Sequence, residues 1–299
     1  GETGLPARVG YTFQGWSTAP SGSAIFAAGA SARVNADGSN DLYAVWAPNA
    51  NTGYTVEFYY MNDDNSYPGT PNQAASRTGT TDATVSVTAA DKADKENGKY
   101  TYDAAAANVE SATLSGDGST VLKLYFKLNT AQYTIHHYLL GTTVSVAADQ
   151  TGTQTIGTQL TAGKSDALYP EYAAAVVSSY APSQTITIGV SGNVITVYYT
   201  VPLTLTANDA SKVYDGAALT QPEFTAVGLV NGDTATLAMT AESTITNVGS
   251  QTNVIDQATV KVNGGAIPGY YTVTYYDGTL TVTQAKKEIV VIKGNTDTK

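Results

Sequence analysis

Apolar and polar positions alternate with a period of two along most of the chain. In Tyr54-Thr-Val-Glu-Phe-Tyr-Tyr60, the residues Tyr54, Val56, Phe58 and Tyr60 share one face of a strand, and Thr55, Glu57 and Tyr59 the other. The apolar set is expected to face a core. Val121-Leu-Lys-Leu-Tyr-Phe126 reads the same way, with Leu122, Leu124 and Phe126 inward and Lys123 and Tyr125 outward. Turn signals punctuate these runs: Gly116-Asp-Gly118, Ser191-Gly-Asn193, and Asp277-Gly278 between the strand-like runs 271–276 and 279–283. Helical spacing is scarce. The best candidate starts at Thr88, where Asp91 completes a capping box, and runs to about residue 95. A weaker one, 161–167, contains Gly163. The pattern predicts a mainly β fold with minor α, an α+β class.

The alternating segments also repeat. Tyr54–Tyr60 recurs as Tyr133-Thr-Ile-His-His-Tyr-Leu139, 79 residues on, and Val121–Phe126 recurs as Val194-Ile-Thr-Val-Tyr-Tyr199. Two modules of one type therefore cover 52–130 and 131–201. In the second, Thr134, His136 and Tyr138 are outward on the opening strand, and Thr196 and Tyr198 on the closing one. Leu203-Thr-Leu-Thr-Ala-Asn-Asp-Ala-Ser-Lys212 matches Val290-Val-Ile-Lys-Gly-Asn-Thr-Asp-Thr-Lys299 at an offset of 87. This defines a third module over 203–286 and the start of a further repeat at 287–299. Residues 1–48 are a separate unit. The linkers at 47–53, 128–132 and 201–202 are short, which predicts an elongated, semi-rigid rod of small modules.

Charge removes several functions. The chain holds 15 Lys and Arg against 25 Asp and Glu, a net charge of -10, with no basic stripe. Nucleic acid and anionic membranes would be repelled. Charged residues make up 13%, against about a quarter in ordinary globular chains. Thr, Ser, Gly, Ala and Asn take their place, giving a surface solvated by hydroxyls and amides. The 21 Tyr, with abundant Thr and Val, suit pleated sheet. The absence of Cys excludes disulfides, zinc knuckles and thiol catalysis. No stretch approaches the ~18–20 apolar residues that span a bilayer. The chain opens on Gly1 without a signal peptide and reads as a piece of something longer.

Four segments carry family resemblances. Gly10-Tyr-Thr-Phe-Gln-Gly-Trp16 with Leu42-Tyr-Ala-Val-Trp46 resembles the Listeria–Bacteroides repeat of internalin-type surface proteins, here without its usual opening strand. The opening and closing strands of 52–130 and 131–201 resemble those of MucBP-type (mucin-binding protein) repeats. Lys212-Val-Tyr-Asp-Gly216, Val227-Gly-Leu-Val-Asn-Gly-Asp233 and Tyr271-Thr-Val-Thr-Tyr-Tyr-Asp-Gly-Thr-Leu-Thr-Val282 resemble MBG and YDG repeats. The resemblances imply a Gram-positive type of cell-wall-attached adhesin, extracellular and monomeric, with β-grasp-like modules. They imply host mucin glycans or extracellular matrix as partners, or a stalk that displays a distal domain. In a β-grasp the first and last strands are neighbours, which places Tyr59 near Tyr125 and Tyr138 near Tyr198. These four tyrosines are the candidate ligand-binding residues. Cross-strand aromatic pairing that merely holds the sheet is the competing reading.

Residues suited to catalysis are few. His136 and His137 are adjacent in a strand, so they face opposite ways and cannot share a site. No nucleophile elbow, zinc-binding histidine pair or phosphate loop is present. No catalytic residue, metal ligand or cofactor is therefore expected, and the chain is read as non-enzymatic. Asn62-Asp-Asp-Asn65 and Asp37-Gly-Ser-Asn-Asp41 offer oxygen ligands but lack EF-hand spacing, and turns use the same residues. Lys212 is the candidate for an intramolecular isopeptide bond. Its simpler role is a strand-end charge that discourages edge pairing.

Overall fold

The computed structural model describes residues 4, 6–33, 35–38 and 41–287. From residue 288 the expected further repeat lies outside them. The described residues form twenty-one strands and two short 3-10 turns, a nearly all-β fold. Two units divide the chain: one comprises 1–133, 153–159 and 187–193, and the other 134–152, 160–186 and 194 onward.

The first unit opens with β1 (Tyr11–Ser17) and β2 (Tyr43–Pro48), antiparallel, with a bulge between Phe13 and Gly15. Phe13 meets Trp16 and Trp46 edge-on at 5.2 and 5.3 Å. Asn49 ties this hairpin to the first of the repeated modules: its N–H donates to the Gly10 carbonyl, and its carbonyl accepts from the Thr81 N–H. Gly10, at φ +81°, lies so close to Gly116 that an added Cβ would sit 2.3 Å from the Gly116 Cα. Only glycine fits there.

Next come β3 (Thr52–Tyr60), β4 (Gln73–Gly79), β5 (Thr84–Ser86), β6 (Tyr100–Tyr102), β7 (Ser111–Thr113) and β8 (Val121–Leu128). Four of them form a sheet in the order β4-β3-β8-β6, with β3 and β8 parallel at its centre. First and last strands are neighbours, as expected. Val56, Phe58, Leu122, Leu124 and Phe126 are buried on the face predicted, packed with Val85 of β5 and with Leu114, which follows β7. Each such side chain contributes about 1.5–3 kcal/mol by leaving water.

The expected helix at 88–95 does not form. Its capping box does: the Thr88 N–H and Oγ1 donate to Asp91 Oδ2 at 2.7 and 2.9 Å, and the Asp91 N–H donates to Thr88 Oγ1 at 3.3 Å. Asp91 is instead held by Arg77 at 2.5 and 2.9 Å, and the chain turns away into the 3-10 turn Glu96–Gly98. A cap starts a helix only where an apolar stripe sustains it, and Ala89, Ala90 and Ala93 supply little. Residues 161–167 are not helical either, because Thr161 ends a short strand, Gln159–Thr161.

The chain continues as β9 (Thr130–Leu139), β10 (Gln150–Thr155), β11 (Gln159–Thr161), β12 (Val176–Ala181), β13 (Thr185–Thr187) and β14 (Asn193–Ala207). Only Asn129 separates β8 from β9. The sheet order β10-β9-β14-β12 repeats that of the first module. The remaining strands are β15 (Ala210–Val213), β16 (Phe224–Val227), β17 (Ala235–Met239), β18 (Gly249–Asn253), β19 (Ile255–Val262), β20 (Tyr271–Tyr276) and β21 (Gly278–Thr283).

In the second unit, the expected linker at 201–202 proves to be the middle of a strand. β14 runs unbroken for 15 residues, pairing first with β12 and then with β16 (antiparallel) and β20 (parallel). Val197, Tyr199, Val201, Leu203, Leu205 and Ala207 are all buried, so alternation passes straight through Pro202. Further along, β15-β21-β18 form one small sheet, and β17 pairs β19. Asp233 fastens the start of β20: its carboxylate accepts from the hydroxyls of Tyr270 (2.8 Å) and Tyr271 (2.7 Å) and from the Asn263 amide (2.7 Å). Burial opposes ionisation of Asp233, yet these three donors hold its pKa below the usual value.

Candidate functional site

Tyr59 and Tyr125 are direct neighbours in the parallel β3–β8 register. Their rings stack at 4.8 Å with 20° between planes, and Tyr67 meets Tyr125 edge-on at 4.9 Å. The Tyr59 hydroxyl donates to Glu57 Oε2 at 2.6 Å, which, with burial, pushes its pKa up to about 12. The Tyr67 hydroxyl donates to Asp103 Oδ2 at 2.8 Å. Tyr59 is only 5% exposed. The pairing is as read from sequence, but Tyr59 is no open platform: loop residues cover a face that alternation alone leaves to solvent. The cluster has the geometry of a cross-strand aromatic stack with a third ring against its edge.

The second module places Tyr138 and Tyr198 in matching positions. The Met61 N–H bond to the Phe126 carbonyl in the first module has its counterpart in Leu140 N–H to the Tyr199 carbonyl. Tyr138 and Tyr198 are both half-buried. Tyr138 stacks on His136 at 5.3 Å and 11°, and His136 Nδ1 lies 2.9 Å from Asp149 Oδ1. An aromatic face flanked by a partly exposed carboxylate is chemistry that can meet a sugar ring and its hydroxyls.

His137 faces the other way and is fully buried. Tyr199 Oη lies 3.0 Å from His137 Nδ1 and accepts from the Ser165 N–H at 2.8 Å. The hydroxyl proton is then best used on Nδ1, which leaves the imidazole proton on Nε2. That nitrogen has no partner. Burial holds the His137 pKa below its ordinary value. The two histidines thus occupy separate environments, as the strand period requires.

The other sequence candidates resolve into turns. Asp64 Oδ1 accepts from the Ser66 N–H and hydroxyl at 2.9 and 2.6 Å, and Asn65 takes φ 63°, so 62–65 is an Asx turn. The 37–41 segment includes residues outside those described. Among the described residues no three His, Cys, Asp or Glu side chains converge as a metal site. Lys212 Nζ donates to Asp215 Oδ1 at 2.7 Å and to the Ala217 carbonyl at 2.6 Å, closing its own turn. No described helix is long and apolar enough to cross a membrane.

One feature had no sequence signal. Open clefts of about 460, 400 and 260 Å³ lie around Asn208, Asp209, Gln221 and Asp277. Their walls come from four segments distant in sequence, 206–211, 220–222, 239–244 and 277–281, so no local motif marks them.

The described residues form tandem β-modules, two of which repeat one sheet order, with aromatic stacks on their outward faces and open clefts in the module that follows. Residues 203–281 match the family of the MBG domain (YGX type). Among solved structures, the type 2 repeat of the mucus binding protein MUB from Lactobacillus reuteri is 16% identical, with 49% of this chain and 98% of that one covered and a TM-score of 0.18. Streptococcal High Identity Repeats in Tandem domains 3-4, from a cell surface protein, are 15% identical over 49% of this chain and 96% of that one, with a TM-score of 0.22. The Bacillus anthracis TIE protein is 8% identical over 82% of this chain and 54% of that one, with a TM-score of 0.29. At these scores the likenesses carry no argument about function. No curated protein matches the chain by sequence.

Proposed function

We propose that the chain is a non-catalytic segment of a bacterial cell-surface adhesin, extracellular and attached to the cell wall. It contacts host mucin glycans or extracellular matrix through the outward Tyr138 and Tyr198 of the second module. The observation that carries this reading is the MBG-family match at 203–281 following two copies of one β-module with MucBP-like strands. Tyr138, stacked on His136 beside Asp149, supplies the ring face and the acceptor a sugar needs. Tyr59 and Tyr125 belong to the equivalent face of the first module and contribute less, because Tyr59 is covered. Several weak contacts in series give useful avidity.

A spacer role is favoured by one specific observation, the unbroken β14, which gives the 203–283 module a rigid attachment to the strand before it. Mucin-glycan arrays probed with the whole chain separate the two. The binder reading expects signal from wild type that falls in Tyr138→Ala/Tyr198→Ala. Equal, negligible signal from both proteins would leave the spacer.

A further inference from the structure

We infer that the end of the 203–283 module is a second binding site, built to take a neutral saccharide. The inference rests on this module alone and is independent of the Tyr138 and Tyr198 face.

The central cleft, about 460 Å³, is lined by Thr206, Ala207, Asn208, Asp209, Gln221 and Asp277. A second, about 260 Å³, shares Asp209 and adds the hydroxyl residues Ser211, Thr279 and Thr281. A third, about 400 Å³, shares Gln221 and adds Thr240, Ser243 and Thr244 beside Met239. The central cleft shares Asp209 with the second and Gln221 with the third, which sets the three side by side. Together they present hydroxyls, amides and two carboxylates beside apolar Pro222 and Met239, with no Lys or Arg among the lining residues. Carboxylates and amides accept and donate to vicinal hydroxyls, and the absence of a cation disfavours sialylated or sulfated sugars.

An aromatic platform stands at the edge. Tyr276 is the register partner of Thr206 across β20 and β14, so both side chains project from the same face of the sheet. Tyr276 is 56% exposed. A sugar seated over Thr206 has this ring beside it.

The walls are fixed before any ligand arrives. Asn253, fully buried, donates through Nδ2 to the Asn208 carbonyl at 2.9 Å and to the Gln221 carbonyl at 3.0 Å, bracing two loops from beneath. The third loop is pressed against the first at Gly278, where an added Cβ would lie 2.5 Å from the Ala207 carbonyl oxygen and 2.7 Å from that of Asn208. Asp209 Oδ1 accepts from the Thr279 N–H at 2.6 Å, joining the first loop to β21. Such bracing lowers the ordering cost of binding, which matters most for a weak ligand. Asp277 and Tyr276 project at the rim and are free to vary without loosening the frame.

The test is saturation-transfer NMR on the whole chain with N-acetyllactosamine and its sialylated counterpart as probes. Wild type is expected to bind the neutral sugar and to bind the sialylated one more weakly. Asp277→Asn is expected to weaken neutral-sugar binding about tenfold, the loss of a charged acceptor, and Tyr276→Ala to do likewise, both with unchanged thermal unfolding. Tyr138→Ala/Tyr198→Ala should leave intact the share of the signal that Tyr276→Ala removes, which separates the present site from the adhesin face. Binding unchanged in both rim variants, a preference for the sialylated sugar, or no transfer to wild type would each overturn the inference.

Discussion

The two copies of the repeated module use one strand frame to enclose different cores. In the first, Phe58 on β3 and Phe126 on β8 face each other at 6.2 Å, and Leu122 and Leu124 complete an apolar interior. In the second, His137 and Tyr199 occupy the matching places, with rings 5.8 Å apart. Backbone pairing is the same in both, as the equivalent bonds from Met61 to Phe126 and from Leu140 to Tyr199 indicate. Strand alternation therefore decides which side chains go inside, and the identity of those side chains decides how the interior responds to its surroundings. A phenylalanine pair is indifferent to pH. A buried imidazole that spends one nitrogen on a tyrosine and leaves the other unpartnered is not.

Two substitutions and a change of pH can break this comparison, at falling strength. The largest effect belongs to Phe126→Ala, which empties the centre of the first core and is expected to cost about 3–5 kcal/mol, read by denaturant unfolding. A loss below about 1 kcal/mol would mean that the first core is not assembled as described. Tyr199→Phe is gentler. It keeps the ring but deprives the Ser165 N–H and His137 Nδ1 of their partner, at about 1–3 kcal/mol. An unchanged midpoint in that variant would contradict the hydrogen-bond chain.

The smallest effect is the acid response, and its sign follows from the His137 shift. Folding lowers the His137 pKa below its ordinary value, so the folded state favours the neutral ring. Stability is complete above the unfolded value of about 6.5 and declines as pH falls below it, by up to about 1.4 kcal/mol per pH unit. Two titratable groups act on it from the opposite face, His136 on the same strand and Asp149 before β10. Asp149 pulls against the shift and His136 adds to it. Tyr199 on β14, with its own pKa raised by burial, stays neutral throughout. Unfolding followed between about pH 7 and about pH 5, above the carboxylate range, is expected to weaken the second module and spare the first. Replacing the pair as His137→Phe/Tyr199→Phe should remove the difference.

Much of this was legible from residue order. The period of two gave the inward sets of β3, β8 and β14 and the opposite facing of His136 and His137, because pleating leaves no other choice. The Tyr59–Tyr125 neighbourhood followed from the β-grasp strand order that the MucBP resemblance implies, and the register shows it. The same rule could have carried β14 through Pro202, since Val197, Tyr199, Val201, Leu203 and Leu205 never break step; a proline read as punctuation hid it. What stayed illegible depended on loops. Tyr67 and the 103–109 segment close over the outward face of the first module, and no local pattern announces that. The capping box at Thr88 and Asp91 was real, but Arg77, 14 residues before Asp91, drew the carboxylate into an ion pair instead of a helix start. The cleft around Asp209, Gln221 and Asp277 needs three turns brought together by Asn253 and Gly278, a three-dimensional fact.

The central comparison comes down to the protonation of one ring. Two-dimensional NMR of the imidazole nitrogens, recorded on the whole chain from about pH 7.5 down to about pH 5, reports His136 and His137 separately. His137 should remain neutral, with its proton on Nε2, across the range in which a solvent-exposed histidine takes up charge. A His137 ring that titrates near the ordinary value of about 6.5 without loss of folded signal, or that carries its proton on Nδ1, would contradict the account.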